Sequence, residues 1–110
     1  MKFHQGLTSE RWRKLSFLEQ MANIGMDIDR AIKWQEKKNQ FQSKAALYRG
    51  LELLYLTIAD PKNRQRLKEL TRLREVLNDY FFCENIYRSS TKLWHSYFFP
   101  FNYAARKISP

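Results

Sequence analysis

Turn-forming residues are scarce in this chain, with three glycines and three prolines in 110 residues. A β-sandwich or barrel needs turn signals about every 8–12 residues, most often built on those types, so an all-β fold is excluded. Cysteine is scarcer still. Cys83 stands alone, which rules out an internal disulfide and fits a reducing compartment. No apolar run approaches the roughly 20 residues of a membrane span. Residues Met1 to Glu10 lack the apolar core of a signal peptide. A cytoplasmic protein with no membrane partner is expected.

The residues of common catalytic sites are equally thin. His4, His95 and Cys83 are too scattered for a zinc site, and only His95 falls in the part expected to fold. No Ser-His-Asp or Cys-His arrangement can be assembled from them. Glu10, Glu19, Asp27 and Asp29 do not form the Glu-x-x-His pairs of di-iron bundles. A glycine-rich phosphate loop is missing. No metal and no cofactor are expected, and a non-enzymatic role is favoured over an enzymatic one.

Acidic residues are also in deficit. Twenty Lys and Arg against eleven Asp and Glu leave a net charge of +9. Such an excess points to an anionic partner, with nucleic acid foremost. Apolar residues are plentiful at 44%, and they include three Trp, six Tyr and eight Phe. That is enough to build the core of one domain.

Periodicity places those apolar residues on helices. Residues 1–8 read as a loose arm and residues 9–110 as the folded domain. Thr8 or Ser9 can cap a first helix from Ser9 to Lys38, whose inward stripe is Phe17, Met21, Ile24, Ile28 and Ala31. Gly25 lies near that stripe, where a second helix can approach closely. A second helix spans about Phe41 to Ala59. Its stretch from Leu51 to Ala59 is apolar nearly all round, which hints at burial on more than one side.

Asp60-Pro61 is the sharpest punctuation, a capping acid followed by a proline suited to the first helical position. The third helix runs from Pro61 to Phe82, with Leu67, Leu70, Leu73, Leu77 and Phe81 inward. Ser89 or Ser90 caps the fourth. Its stripe is Leu93, Trp94, Tyr97, Phe98, Phe101, Ala105 and Ile108, and Pro100 should kink or split it. Short connections favour antiparallel neighbours, so an all-α, up-down four-helix bundle is predicted.

Lys62, Arg64, Arg66 and Lys68 crowd the start of the third helix, where the helix dipole favours acids instead. Arg64, Lys68 and Arg72 follow at spacings of four and form a positive stripe. With Arg11, Arg13 and Lys14 at the start of the first helix, these residues are candidates for phosphate contacts at one basic end. Glu52 and Arg74 fall among apolar residues and are predicted to form a buried ion pair. Phe99 and Tyr103 point off the core stripe. Together with Leu54 and Ile58 they are candidates for a homo-oligomer interface.

Two resemblances add to this reading. Arg88 and His95 are spaced R-x6-H, which resembles the motif of HEPN-domain ribonucleases. That likeness implies metal-independent RNA cleavage, with His95 near the ribose hydroxyl and Arg88 on the phosphate, although Ser89 departs from the residues usual after that arginine. The chain also carries the stretches LEQMANIGMDIDRAIKW and RLKELTRLREVLNDYF. Over residues 9–108 its length, helix count and charge resemble the small bundle proteins of bacterial 23S rRNA intervening sequences. It is similar also to the accessory variability proteins of diversity-generating retroelements. That resemblance implies an oligomer with positive surfaces that engage nucleic acid and a protein partner. The leading expectation is a non-enzymatic, oligomeric, nucleic-acid-binding protein. The alternatives are the ribonuclease and a protein-interaction scaffold.

Overall fold

A computed structural model describes residues 8–108. The arm predicted over residues 1–8 lies outside them except for Thr8, as do His4 and the side chain of Ile108. The described residues form five α-helices and one 3₁₀ segment, with no strand. In chain order these are α1 (Ser9–Arg13), α2 (Phe17–Glu36), α3 (Gln40–Ala59), the 3₁₀ segment Pro61–Arg66, α4 (Leu67–Phe82) and α5 (Thr91–Ile108). None of the described helices is long and apolar enough to cross a membrane.

The predicted first helix is two helices. Thr8 caps α1, which stops after five residues. Ser16 then starts α2 with a reciprocal capping box, its hydroxyl accepting from Glu19 N–H while the Glu19 carboxylate accepts from Ser16 N–H. Two backbone donors are satisfied at once, which makes a new start here favourable. The break turns Trp12 into the core. α2 then buries Met21, Ile24, Ile28, Ala31 and Ile32 along one face.

α2 packs most extensively against α3 and next against α5. Small residues set both contacts. A methyl group added at Gly25 would sit 2.9 Å from the Phe98 ring on α5. At Gly50 on α3 it would meet Ile28 at 3.1 Å and Asp27 at 3.3 Å. Ser43 on α3 donates to the Ala31 carbonyl at 2.8 Å. The buried Asp27 carboxylate accepts from Arg30 at 3.1 Å and faces Arg49 of α3 at 3.7 Å, so its charge is compensated where water is excluded.

The third predicted helix begins with its first six residues wound as 3₁₀. Leu70, Leu73 and Leu77 are buried beyond it, whereas Leu67, predicted inward, is exposed. Leu67 is the first residue of α4, at the outer end of that stripe, where the neighbouring helices cover it less. Asp79, near the end of α4, is buried and accepts from Ile86 and Tyr87 N–H at 3.0 Å each, which ties down the following loop. Within that loop Asn85 and Arg88 take left-handed backbone angles. Ser90 caps α5 through Leu93 N–H. Pro100 does not split α5, which stays helical to Ile108. The carbonyl that loses its donor is that of Ser96, an exposed residue four positions back. Trp94 and Phe98 are buried, whereas Leu93 is exposed.

Candidate nucleic-acid interface

A buried polar network organises one end of the protein. Asp60 Oδ1 accepts from Lys62 N–H, the cap predicted for the Asp60-Pro61 step. Its other oxygen accepts from Gln20 Nε2 at 2.9 Å. The same Gln20 amide donates to the Trp12 carbonyl at 3.1 Å. Gln20 Oε1 accepts from Asn63 Nδ2 at 2.9 Å, and Asn63 reaches the Thr57 carbonyl at 3.0 Å. Trp12 Nε1 closes the network on the Thr57 hydroxyl. Burial alone would raise the Asp60 carboxyl, but hydrogen bonds from Lys62 and Gln20 outweigh it and hold the group below its ordinary value. Sequence reading found the Asp60 cap and missed Gln20, Thr57 and Asn63. Their partners lie on other elements, and no local pattern marks them.

The network has a consequence for the surface. It holds α1 and the 3₁₀ segment side by side, so two basic clusters far apart in sequence meet. Lys62 Nζ donates to the Arg13 carbonyl at 3.0 Å and to the Asp60 carboxylate. Arg13 reaches the Ala59 carbonyl at 3.5 Å. Arg66 lies 4.1 Å over the Phe17 ring and 3.8 Å from Glu69. Arg72 lies 4.4 Å over the Tyr87 ring. Such stacking holds a guanidinium plane in place while leaving N–H groups outward.

Lys62, Arg66, Lys68 and Arg72 line a shallow surface depression of about 910 Å³, with Glu69 and Glu75 among their neighbours there. Arg64 is not part of its lining. The expected stripe of Arg64, Lys68 and Arg72 assumed α-helical winding throughout, and the 3₁₀ segment rotates Arg64 out of register. Arg11, Lys14, Arg64 and Lys68 are exposed, and Arg64 and Lys68 form no ion pair with the described residues.

A second concavity runs between α2 and α5, with a volume of about 830 Å³. Gly25, Ile28, Trp94 and Phe98 contribute its apolar lining. At its edge His95 Nε2 lies 2.9 Å from Asp29 Oδ1, and Lys33 Nζ lies 3.1 Å from Asp29 Oδ2. The Trp94 indole N–H is buried without an acceptor among the described residues. Arg88 does not line this groove. It sits exposed in the loop before α5, with its backbone N–H on the Asn85 carbonyl. The His95 ring is therefore engaged with Asp29 from α2, a residue 66 positions away, which no sequence spacing announces.

Other predicted sites need correction. Leu54 is fully buried within the protein and Ile58 packs partly against the same core, so Leu54 is closed to a partner subunit. Phe99 and Tyr103 are 65% and 53% exposed, and their rings stack at 6.3 Å. Arg74 is exposed and Glu52 half-buried, so neither has the enclosed environment of a buried ion pair. The outward tilt of Arg74 follows from the helix phase that buries Leu73 and Leu77. No cluster of three or more His, Cys, Asp or Glu that could hold a metal ion occurs among the described residues. Comparison with family models, curated proteins and solved structures finds no match to this chain.

Proposed function

We propose that this protein binds the phosphodiester backbone of nucleic acid through the basic face shared by α1, the 3₁₀ segment and the first turns of α4, without catalysis. The observation that carries the reading is the junction of Lys62 with Arg13, which joins two basic clusters lying 49 residues apart. From this junction Arg66 at the end of the 3₁₀ segment, then Lys68 and Arg72 on α4, continue the positive surface. Arginine planes pinned over Phe17 and Tyr87 are preorganised for phosphate oxygens, which lowers the entropy lost on binding. The basic residues lie along a shallow face suited to phosphates, so contacts to the backbone dominate and sequence preference is weak.

The finer architecture belongs to the same reading. Early α2 meets late α5 at Phe17 and Phe101, and later α2 meets earlier α5 at Asp29 and His95. Those opposed pairings support antiparallel α2 and α5, and Arg66 over Phe17 supports the starts of α2 and α4 sharing one end, as an antiparallel bundle of α2, α3, α4 and α5 requires. An oligomer of such units would multiply the basic faces.

The test is fluorescence anisotropy with a labelled single-stranded RNA and a duplex DNA. Affinity should fall about 10²–10³-fold between roughly 50 and 200 mM salt if about four or five phosphates are engaged. Arg64→Glu with Lys68→Glu should weaken binding about tenfold or more on both probes. Binding that ignores salt, or no binding at low salt, would reject the proposal.

A further inference from the structure

The outward face of α3 carries a pattern that its role in the core does not explain. Phe41, Tyr48 and Tyr55 recur every seven residues and are 79%, 41% and 63% exposed. Seven residues are nearly two helical turns, so the three rings form one ridge about 21 Å long. The opposite face of the same helix buries Ser43, Ala46, Leu47, Gly50, Leu53, Leu54 and Thr57. Large aromatics in a row on the solvent side of a helix mark a protein contact rather than a solvated face.

The order of residues on that face identifies the partner. Tyr48 stands at its centre. Three residues to either side are Ala45 and Leu51, both half-buried and apolar or small. Four residues to either side are Lys44 and Glu52, opposite in charge. Seven residues to either side are Phe41 and Tyr55, both aromatic. When two identical helices cross antiparallel about a two-fold axis, a residue a given number of positions before the centre meets the one the same number after it on the other helix. The α3 face is complementary to itself under that operation. Phe41 meets the other copy's Tyr55, Lys44 meets its Glu52 and Ala45 meets its Leu51, each contact occurring twice, and Tyr48 meets Tyr48 once on the axis. A parallel pairing would instead set Lys44 against Lys44 and Glu52 against Glu52, which is repulsive.

We propose that the protein forms a symmetric homodimer through antiparallel packing of α3 on α3, with Tyr48 on the two-fold axis and Lys44 paired to Glu52 across it. Small Ala45 opposite larger Leu51 lets the backbones approach to ordinary helix-packing distance. The residues that face α2 point the other way, while Tyr48 also stacks on Phe82 of α4 at 5.9 Å and Leu51 packs partly against the core, so the dimer would use the rest of each side chain. This inference names the interface for the oligomer reading above and is independent of the phosphate reading. In the dimer each α4 basic face would occur twice.

Sedimentation velocity and light scattering on the full chain at micromolar concentration give the first readout, a mass of twice 13.4 kDa. Lys44→Glu and Glu52→Lys should each weaken dimerisation about tenfold or more, because like charges then face each other twice. The double swap, Lys44→Glu with Glu52→Lys, should restore the dimer. Circular dichroism confirms that the variants fold. A second readout uses Tyr48→Cys in a Cys83→Ser background, which should oxidise to a covalent dimer, while Tyr103→Cys in that background should not. A monomeric wild type overturns the inference, as does a dimer indifferent to the single swaps, a double swap that fails to restore it, or cross-linking through Tyr103→Cys instead. A monomer that binds RNA with steep salt dependence overturns the dimer alone. A dimer that binds no nucleic acid rejects the phosphate reading alone.

Discussion

The indole N–H of Trp12 donates to the Thr57 hydroxyl at 2.9 Å inside the core, joining α1 to α3 across 45 positions of chain. The indole N–H of Trp94 is just as thoroughly buried and has no acceptor among the described residues. Two tryptophans of equal burial thus stand in opposite electrostatic situations, and the difference can be measured. Trp12→Phe should destabilise the protein more than Trp94→Phe by about 1 kcal/mol, because only the first loses a satisfied hydrogen bond. The second also relieves an unpaired donor and keeps an aromatic edge toward Tyr80. Urea unfolding followed by circular dichroism checks the difference, and equal losses would refute it.

Gln20 holds the end of the protein together by bonding Trp12, Asp60 and Asn63 at once. Gln20→Leu keeps the volume and leaves the Asp60 and Asn63 groups without that partner. A loss of about 2–4 kcal/mol is expected. Arg13 and Lys62 should also separate, so nucleic-acid affinity should fall although neither cation is changed. Thermal unfolding and anisotropy on the same sample test both effects.

Asp60 links stability to acid. Its carboxyl is held below the ordinary value in the folded state, against the opposing pull of burial, by Lys62 and Gln20. A depressed folded pKa contributes stability that is complete above the unfolded value of about 3.8 and is lost as pH falls through the folded value. Unfolding free energy should therefore drop on acidification below about pH 4. In Asp60→Asn the protein should be weaker near neutrality and flatter across that acid window. An unchanged slope would argue against this account.

The two buried glycines should respond differently to alanine. Gly25→Ala drives a methyl group into the Phe98 ring and its Cβ, at 2.9 to 3.0 Å, which forces α2 and α5 apart. A cost of about 1–3 kcal/mol is expected, in spite of better helix propensity. In Gly50→Ala the nearest atom is the movable Cδ1 of Ile28, at 3.1 Å. A propensity gain of about 1 kcal/mol then offsets the crowding, and the change should be near neutral. Melting temperatures of the two variants should differ by several degrees.

Most of the helical content was legible in the chain because capping and periodicity act within one or two turns. Thr8, Asp60 and Ser90 cap where their side chains and positions indicate. Met21, Ile24, Ile28, Leu70, Leu73, Leu77, Trp94 and Phe98 are buried as their spacing requires. The break before Ser16 and the 3₁₀ winding before Leu67 were not legible. Each is a small local choice settled by what it lets other elements reach, namely Trp12 packing inward and Asn63 meeting Gln20.

The candidate site divides in the same way. The basic residues, their positions on helix starts and the net charge of +9 follow from the order of amino acids alone. That Lys62 touches Arg13, that His95 touches Asp29 rather than Arg88, and that Leu54 points inward while Tyr55 points out were decided by tertiary structure. The reason is physical. Which residues form a helix depends on neighbours three and four positions away. Which helix faces meet depends on packing between segments tens of residues apart, and the 3₁₀ winding of Pro61–Arg66 is enough to rotate Arg64 out of line with Lys68 and Arg72.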